Sequence, residues 1–243
     1  MSHNPIEIQE GAFVISDAHY SPLRPQLLQF IKDIHSQKLQ PTQLILMGDI
    51  FDALFGSIKH TYKMNAEIIA LLNDISQKME VIYLEGNHDF NLQKVFPSVK
   101  VFTIENQPVL CSYKGKKLYL AHGDFDGPFS YKLYTAFIRN RIVLPILQKI
   151  DNIFNNTILK NIDQHLDKKD DCKEFVGFED FITRRLANRF DCDYFIEGHY
   201  HQNVAFDVEN FHYINLGAFA CNQRYFIVES LVDRELLKEE KVS

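Results

Sequence analysis

Asp, His and Asn gather in five short clusters along this chain: Asp17-Ala18-His19, Gly48-Asp49, Gly86-Asn87-His88-Asp89, His122-Gly123-Asp124 and Gly198-His199-Tyr200-His201. Carboxylate, amide oxygen and imidazole together suit divalent manganese, iron or zinc, and no cysteine joins any cluster. Seven side chains (Asp17, His19, Asp49, Asn87, His122, His199 and His201) offer metal donors, too many for one tetrahedral zinc. They fit two ions if Asp49 bridges them, and a two-metal centre stabilises both the attacking and the leaving oxygen of a phosphoryl displacement. A single cluster is as consistent with a turn or a hydrogen-bonded structural histidine. Five together predict a metal site.

Such a site needs elements to deliver it. Each cluster follows a short apolar run, at residues 12–16, 44–47, 81–84, 118–121 and 194–196, and runs of that length and composition read as buried strands. Side chains two apart on a strand share a face, so Asp17 and His19, like His199 and His201, can face one pocket, or two as the strand opens into a loop. The glycines at 48, 86, 123 and 198 permit sharp turns and close backbone approach.

A helix is predicted from Pro25 to about Gln37, and another from about Thr61 to Gln77, with Ile68, Ile69, Leu71, Leu72 and Ile75 on its buried side. Residues 109–113 and 117–122 read as a hairpin through Lys114-Gly115-Lys116, and residues 203–208 and 211–215 as another around Glu209-Asn210. Strand–helix alternation followed by hairpins implies an α/β fold of mixed sheets packed face to face, with helices outside. The charged residues 238–241 read as a solvated tail.

Composition bounds the function. The chain has 243 residues, enough for one α/β domain with an insertion, and 46% apolar with 24% charged residues is ordinary for a globular protein. A formal net charge of −6 argues against a nucleic-acid partner. Cys111, Cys172, Cys192 and Cys221 lack C-x-x-C spacing, which predicts free thiols in a reducing compartment. No signal peptide and no apolar run of ~20 residues is present, so a cytoplasmic protein is expected. The oligomeric state stays open.

The order D-x-H, G-D, G-N-H-D, H-G-D, G-H-x-H resembles the calcineurin-like metallophosphoesterases, from Asp17 to His201. The resemblance implies a four-layer β-sandwich flanked by helices, with Asp17, His19, Asp49 and His201 on one metal and Asp49, Asn87, His122 and His199 on the other. It makes His88 the acid or transition-state stabiliser, assisted by Asn87 and oriented by Asp89. Asp124 reads as a residue that orients a histidine ligand, and Asp52 as either that or a cap of the following turn. The intact ligand set weighs against a non-enzymatic scaffold.

Between His122 and His199 lies a predicted helical cap, about residues 125–190, in a single domain of residues 1–243. Residues 129–149 read as helix, interrupted or ended by Pro145, and carry Lys132, Arg139, Arg141 and Lys149 without an acidic residue. Helical patterns continue over 153–166 and 178–190, the latter with Arg184, Arg185 and Arg189. Packing of Tyr131, Tyr134, Phe137, Ile142 and Leu147 onto the body is the simpler reading of the apolar stripe. A surface for an amphiphile, with cations toward phosphate or a membrane, is the sharper one.

Gly48-Asp49-Ile50-Phe51-Asp52, the clusters at 86 and 122, the Phe137-x-Arg139 pair and Asn215-Leu216-Gly217 are similar to the UDP-2,3-diacylglucosamine hydrolases of lipid A synthesis. That resemblance implies manganese, acyl chains held by the cap, peripheral contact with the inner-membrane surface and a nucleotide-linked acylated sugar as substrate, with Tyr131, Arg139 and Arg141 as binding residues. In that family the third motif reads G-N-R-D, whereas His88 stands here. A fixed cation suits the expulsion of a phosphate monoester, while an alkoxide leaving group gains more from an acid such as His. His88 therefore points toward a general phosphodiesterase or phosphomonoesterase as the alternative.

Overall fold

The computed structural model describes residues 5–140, 172–232 and 235–242, together with 143, 144, 146 and 149. Two six-stranded sheets carry the fold. The first contains β2 (Phe13–Ile15), β3 (Leu44–Leu46), β5 (Val81–Leu84) and β7 (Lys100–Phe102) in parallel, extended by antiparallel β13 (Arg224–Val232) and β14 (Glu235–Lys241). The second runs β1 (Ile6–Glu7), β8 (Val109–Tyr113), β9 (Lys116–Ala121), β10 (Tyr194–Glu197), β12 (Phe211–Asn215) and β11 (Val204–Val208). A short parallel pair, β4 (Leu54–Phe55) and β6 (Asp89–Phe90), lies outside both.

The layering follows from period two. β2, β3 and β5 are buried on both faces. Phe13, Ile15, Leu44, Leu46, Val81 and Tyr83 pack against α1 (Gln26–His35) and α3 (Ala66–Ser76). The alternate residues Val14, Ile45, Ile82 and Leu84 meet Cys111, Leu118, Leu120 and Ile196 of the facing sheet. On that sheet's outer face, Phe195, Phe211 and Tyr213 pack against Phe178, Ile182 and Leu186 of α5 (Phe178–Leu186). The order is helix, sheet, sheet, helix, as expected.

Several boundaries moved. The predicted helix at 61–77 is α2 (Lys59–Met64) and α3, broken at Asn65. The residues read as a solvated tail instead form β14, where Leu236 is buried and the charges line an exposed sheet edge. Two of the four cysteines are not free: Cys172 is disulfide-bonded to Cys221 of α6 (Phe219–Asn222). Their separation of 49 residues carries no spacing signal, because only the tertiary fold brings them together. Cys111 and Cys192 are buried thiols, each pushed up to about 12 by burial. No helix among the described residues is long and apolar enough to cross a membrane.

The expected cap divides. α4 (Phe129–Ile138) lies beside the ligand clusters, whereas α5 is a layer of the body; residues 153–166 lie outside the described residues. Arg185 of α5 is no solvated cation: it pairs with Glu197 at 2.6 Å and Asp126 at 2.8 Å. Ile138 of α4 packs against Ile58, Phe90 and Leu144, but other described apolar side chains of α4 face out. Thr135 and Arg139 are buried, while Phe129, Leu133 and Phe137 are 82%, 63% and 56% exposed. The packing reading thus fails for Phe137.

Candidate metal centre

All five clusters stand at C-terminal strand ends: β2, β3 and β5 in one sheet, and β9 and β10 in the other. The three strands of one sheet and the two of the other are neighbours within their sheets, so five turns meet at one edge of the sandwich. Asp17, His19, His199 and His201 lie past the strands rather than within them. Asp17, His19, Asp49, His199 and His201 all have left-handed backbones, with φ of 51°, 44°, 50°, 63° and 60°. Non-glycine residues hold that conformation only where surroundings enforce it, and such strain clusters at functional sites.

The donors converge. Asp17, His19 and His201 form one group of possible ligands with donor atoms within 4.8 Å of one another, and Asp49, His122 and His199 form a second. His201 Nε2 lies 3.0 Å from Asp17 Oδ1, and His122 Nε2 lies 3.4 Å from both Asp49 Oδ2 and Asn87 Oδ1. His122 Nδ1 donates to the Met47 carbonyl at 3.0 Å, which turns Nε2 toward the cluster. His88 Nδ1 donates to the Asp52 carbonyl at 2.9 Å, and its Nε2 lies 4.0 Å from Asp49 Oδ2. His19 is buried, yet neither ring nitrogen has a hydrogen bond among the described residues; Asp52 Oδ1 stands 3.3 Å from Nδ1 without alignment. Buried orphan imidazole nitrogens facing carboxylates fit a metal.

The charges are arranged accordingly. Burial would raise the Asp17 carboxyl, but His201 and its hydrogen bond hold it well below the usual carboxylate range. Burial also opposes ionisation of Asp49, yet His122 and His88 keep it well below that range. His199, buried and beside His122, is brought down to about 4, a neutral imidazole ready to donate electrons. His122 is desolvated too, but Asp49 raises it well above the ordinary histidine range.

Asp89 does not orient His88. Its carboxylate accepts from the backbone N–H of Asp49, Ile50, Phe51 and Gly86 and from the Tyr83 hydroxyl at 2.6 Å. It ties the Asp49 turn to the Gly86 turn, while burial and the Asp49 charge push it up to about 7. His88 is instead oriented through Asp52. Gln107, which carried no sequence signal, accepts from His122 N–H at 2.6 Å and donates to the Glu85 carbonyl at 2.8 Å. Asn215 likewise donates to the carbonyls of Glu197 and Gly198.

A model of the calcineurin-like phosphoesterase family matches residues 12–203, which include every cluster. The chain belongs to the calcineurin-like phosphoesterases. This phosphoesterase is 25% identical over 222 residues to a protein of Haemophilus influenzae named UDP-2,3-diacylglucosamine hydrolase, covering 87% of this chain and 91% of that one. A protein of the same name from Histophilus somni is 23% identical over 211 residues, covering 84% and 90%. Among solved structures, a phosphoesterase from E. coli is similar with a TM-score of 0.48 and 14% identity, over 96% of this chain and 99% of that one. The chain is a metal-dependent hydrolase of phosphoester bonds, and its His and Asp groups suit divalent metals.

Of the three residues expected to bind substrate, Arg139 alone has a described side chain. Tyr131 belongs to α4, with its side chain outside the described part, and Arg141 lies outside the described residues altogether. Arg139 points inward, with Nη2 donating to the Gly86 carbonyl at 2.7 Å.

Proposed function

We propose that this phosphoesterase hydrolyses the pyrophosphate bond of UDP-2,3-diacylglucosamine, giving UMP and 2,3-diacylglucosamine 1-phosphate, with two manganese ions. The observation that carries this reading is the exposed stripe of Phe129, Leu133 and Phe137 at i, i+4 and i+8 on α4, beside the metal-site turns. Three large apolar side chains in water suit acyl chains or the membrane surface on which such a lipid lies. The names of the relatives support the same substrate class.

Asp17, His19, Asp49 and His201 would hold one ion, and Asp49, Asn87, His122 and His199 the other. When bound, the pair supplies Lewis-acid stabilisation of phosphoryl oxygens and a water activated near neutral pH. On this reading Asn87 and His88 would flank the phosphoryl group. With Nδ1 donating to the Asp52 carbonyl, His88 would act as an acid in its imidazolium form, passing the Nε2 proton to the leaving oxygen and remaining the neutral Nδ1–H imidazole.

The test compares UDP-2,3-diacylglucosamine, a non-acylated UDP-sugar and a chromogenic phosphodiester at matched manganese. Buried acyl carbons contribute ~0.8 kcal/mol per methylene, so shortening both tails by several carbons lowers kcat/KM steeply. Equal efficiency on acylated and non-acylated substrates defeats the lipid reading. It would favour the second reading, a phosphodiesterase or phosphomonoesterase, which His88 in place of a fixed cation supports.

A further inference from the structure

The side chain that ties the insertion to the metal site is Arg139, at the C-terminal end of α4. Among the described residues, its side-chain hydrogen bond, ion pairs and ring contact go to the turn region that presents Asn87 and His88, or to the His122 cluster. Nη2 donates to the Gly86 carbonyl at 2.7 Å, and the guanidinium stacks on Phe90, 5.0 Å from the ring centroid. Its charge lies 3.6 Å from Glu85 and 3.7 Å from Asp124, both buried. The backbone joins in, since Asn91 Nδ2 donates to the Arg139 carbonyl at 2.9 Å. Residues 85, 86, 90 and 91 thus bracket Asn87 and His88 on both sides, and Arg139 grips all four.

Arg139 is 8% exposed, and with Nε and Nη1 lacking hydrogen bonds among the described residues its buried charge is costly unless Glu85 and Asp124 compensate it. A packing role alone would be met more cheaply by Leu or Met at this position. The Gly86 turn also lies directly against Asp49: a Cβ there would meet Asp49 Oδ1 at 2.2 Å. A shift of the Gly86 peptide is therefore a shift against the carboxylate expected to bridge the ions.

We propose that Arg139 is a positioning residue that holds the Gly86 turn in its metal-binding conformation and locks α4 to it. The inference rests on the reading of the clusters as a dinuclear phosphoesterase site. It removes Arg139 from the substrate-binding set and gives it a role through Asn87 and His88. Outer partners of metal ligands are typically worth 10–100-fold in metal affinity or activity.

The test uses the full chain carrying Arg139→Gln or Arg139→Lys, followed by manganese calorimetry, thermal unfolding and kinetics on a chromogenic phosphodiester. Arg139→Gln should weaken manganese binding at one of two sites by about 10–100-fold and lower kcat similarly, with KM within about threefold of wild type. Arg139→Lys, which keeps the charge and one donor for the Gly86 carbonyl, should recover most of both. A folded Arg139→Gln with wild-type manganese affinity and kcat overturns the proposal, even if its Tm falls. Should that variant not fold, Asn91→Gly decides, because it cuts the second tie while suiting the left-handed φ of 61°. Weakened manganese binding then supports the proposal, and unchanged binding overturns it. A wild-type chain that binds two manganese ions but hydrolyses no phosphoester refutes the functional reading instead, and the calorimetric arm still judges Arg139.

Discussion

Gly86→Ala isolates the geometry of the centre, because one methyl group meets the carboxylate expected to bridge two ions. The added Cβ would lie 2.2 Å from Asp49 Oδ1, 2.6 Å from Asp49 N and 2.9 Å from Asp49 Cγ. Ordinary contact begins at 3.4 Å, so the oxygen is 1.2 Å too close (3.4 against 2.2) and the amide 0.8 Å (3.4 against 2.6). Neither can yield easily. Asp49 Oδ1 accepts from His88 N–H at 2.8 Å, and the Asp49 amide is held by Asp89 at 3.1 Å. Metal–ligand distances tolerate about 0.2 Å, and a misplacement of about 1 Å costs on the order of 10²-fold in rate. Gly86→Ala should therefore lose at least one equivalent of manganese in calorimetry and about 10²-fold in kcat/KM on a chromogenic phosphodiester. Gly115→Ala is the control: at φ +80° it meets nothing within 4 Å, so it costs about 1–2 kcal/mol of backbone strain and leaves the metals alone. Full metal content with activity within threefold of wild type in Gly86→Ala would refute the reasoning.

Metal analysis of undialysed protein should give two divalent ions per chain, and Asp49→Ala should be the most damaging ligand change; full activity with one ion sinks the dinuclear reading. His88→Ala should lower turnover by about 10²–10⁴-fold on a substrate with a poor leaving group, with metal content unchanged, and by less on a pyrophosphate; loss of a metal would show that its role was misassigned. Asp193 clamps β9 to β10, accepting from Lys117 N–H at 2.8 Å and Lys116 Nζ at 2.9 Å, contacts that lower its pKa. A depressed carboxylate stabilises above its unfolded value and loses that contribution as pH falls through the folded one. Asp193→Asn, at a site 36% exposed, should therefore cost under about 1 kcal/mol at pH 7, with the Tm difference from wild type closing below about pH 4; a difference that grows in acid contradicts this.

What the sequence made legible was whatever local chemistry dictates. The apolar runs at 44–47, 81–84 and 194–196 became strands because both faces of a central strand need apolar side chains, and the hairpin around Lys114 and Gly115 followed from its turn residues. What stayed hidden depends on contacts distant in sequence. Cys172 meets Cys221 only after folding, and β14 becomes a strand by pairing with β13, not by its own composition. α4 misled because helical periodicity reveals a stripe without saying which side is inside, and Phe129, Leu133 and Phe137 took the exposed side.

The clusters carried more information than strand geometry accounts for. Alternation placed Asp17 with His19 and His199 with His201, yet the strands end before both pairs; on left-handed backbone Asp17 and His19 share one group of donors, while His199 and His201 divide between the two groups. Each motif glycine explains part of that strain. A Cβ at Gly198 would meet Asp17 Oδ2 at 2.5 Å, one at Gly48 would meet His122 Nδ1 at 2.5 Å, and one at Gly123 would meet His199 Cβ at 2.7 Å. At Gly198 and Gly48 the turn of one sheet is thus pressed against a ligand presented by the other, while Gly123 meets a ligand of the neighbouring strand in its own sheet. The strain is held by buried supports such as Asp89, Gln107 and Asn215, whose hydrogen bonds go to backbone groups of these same turns. A site preorganised in this way has its ligands in place before any ion arrives, so metal binding need not supply the energy of ordering them.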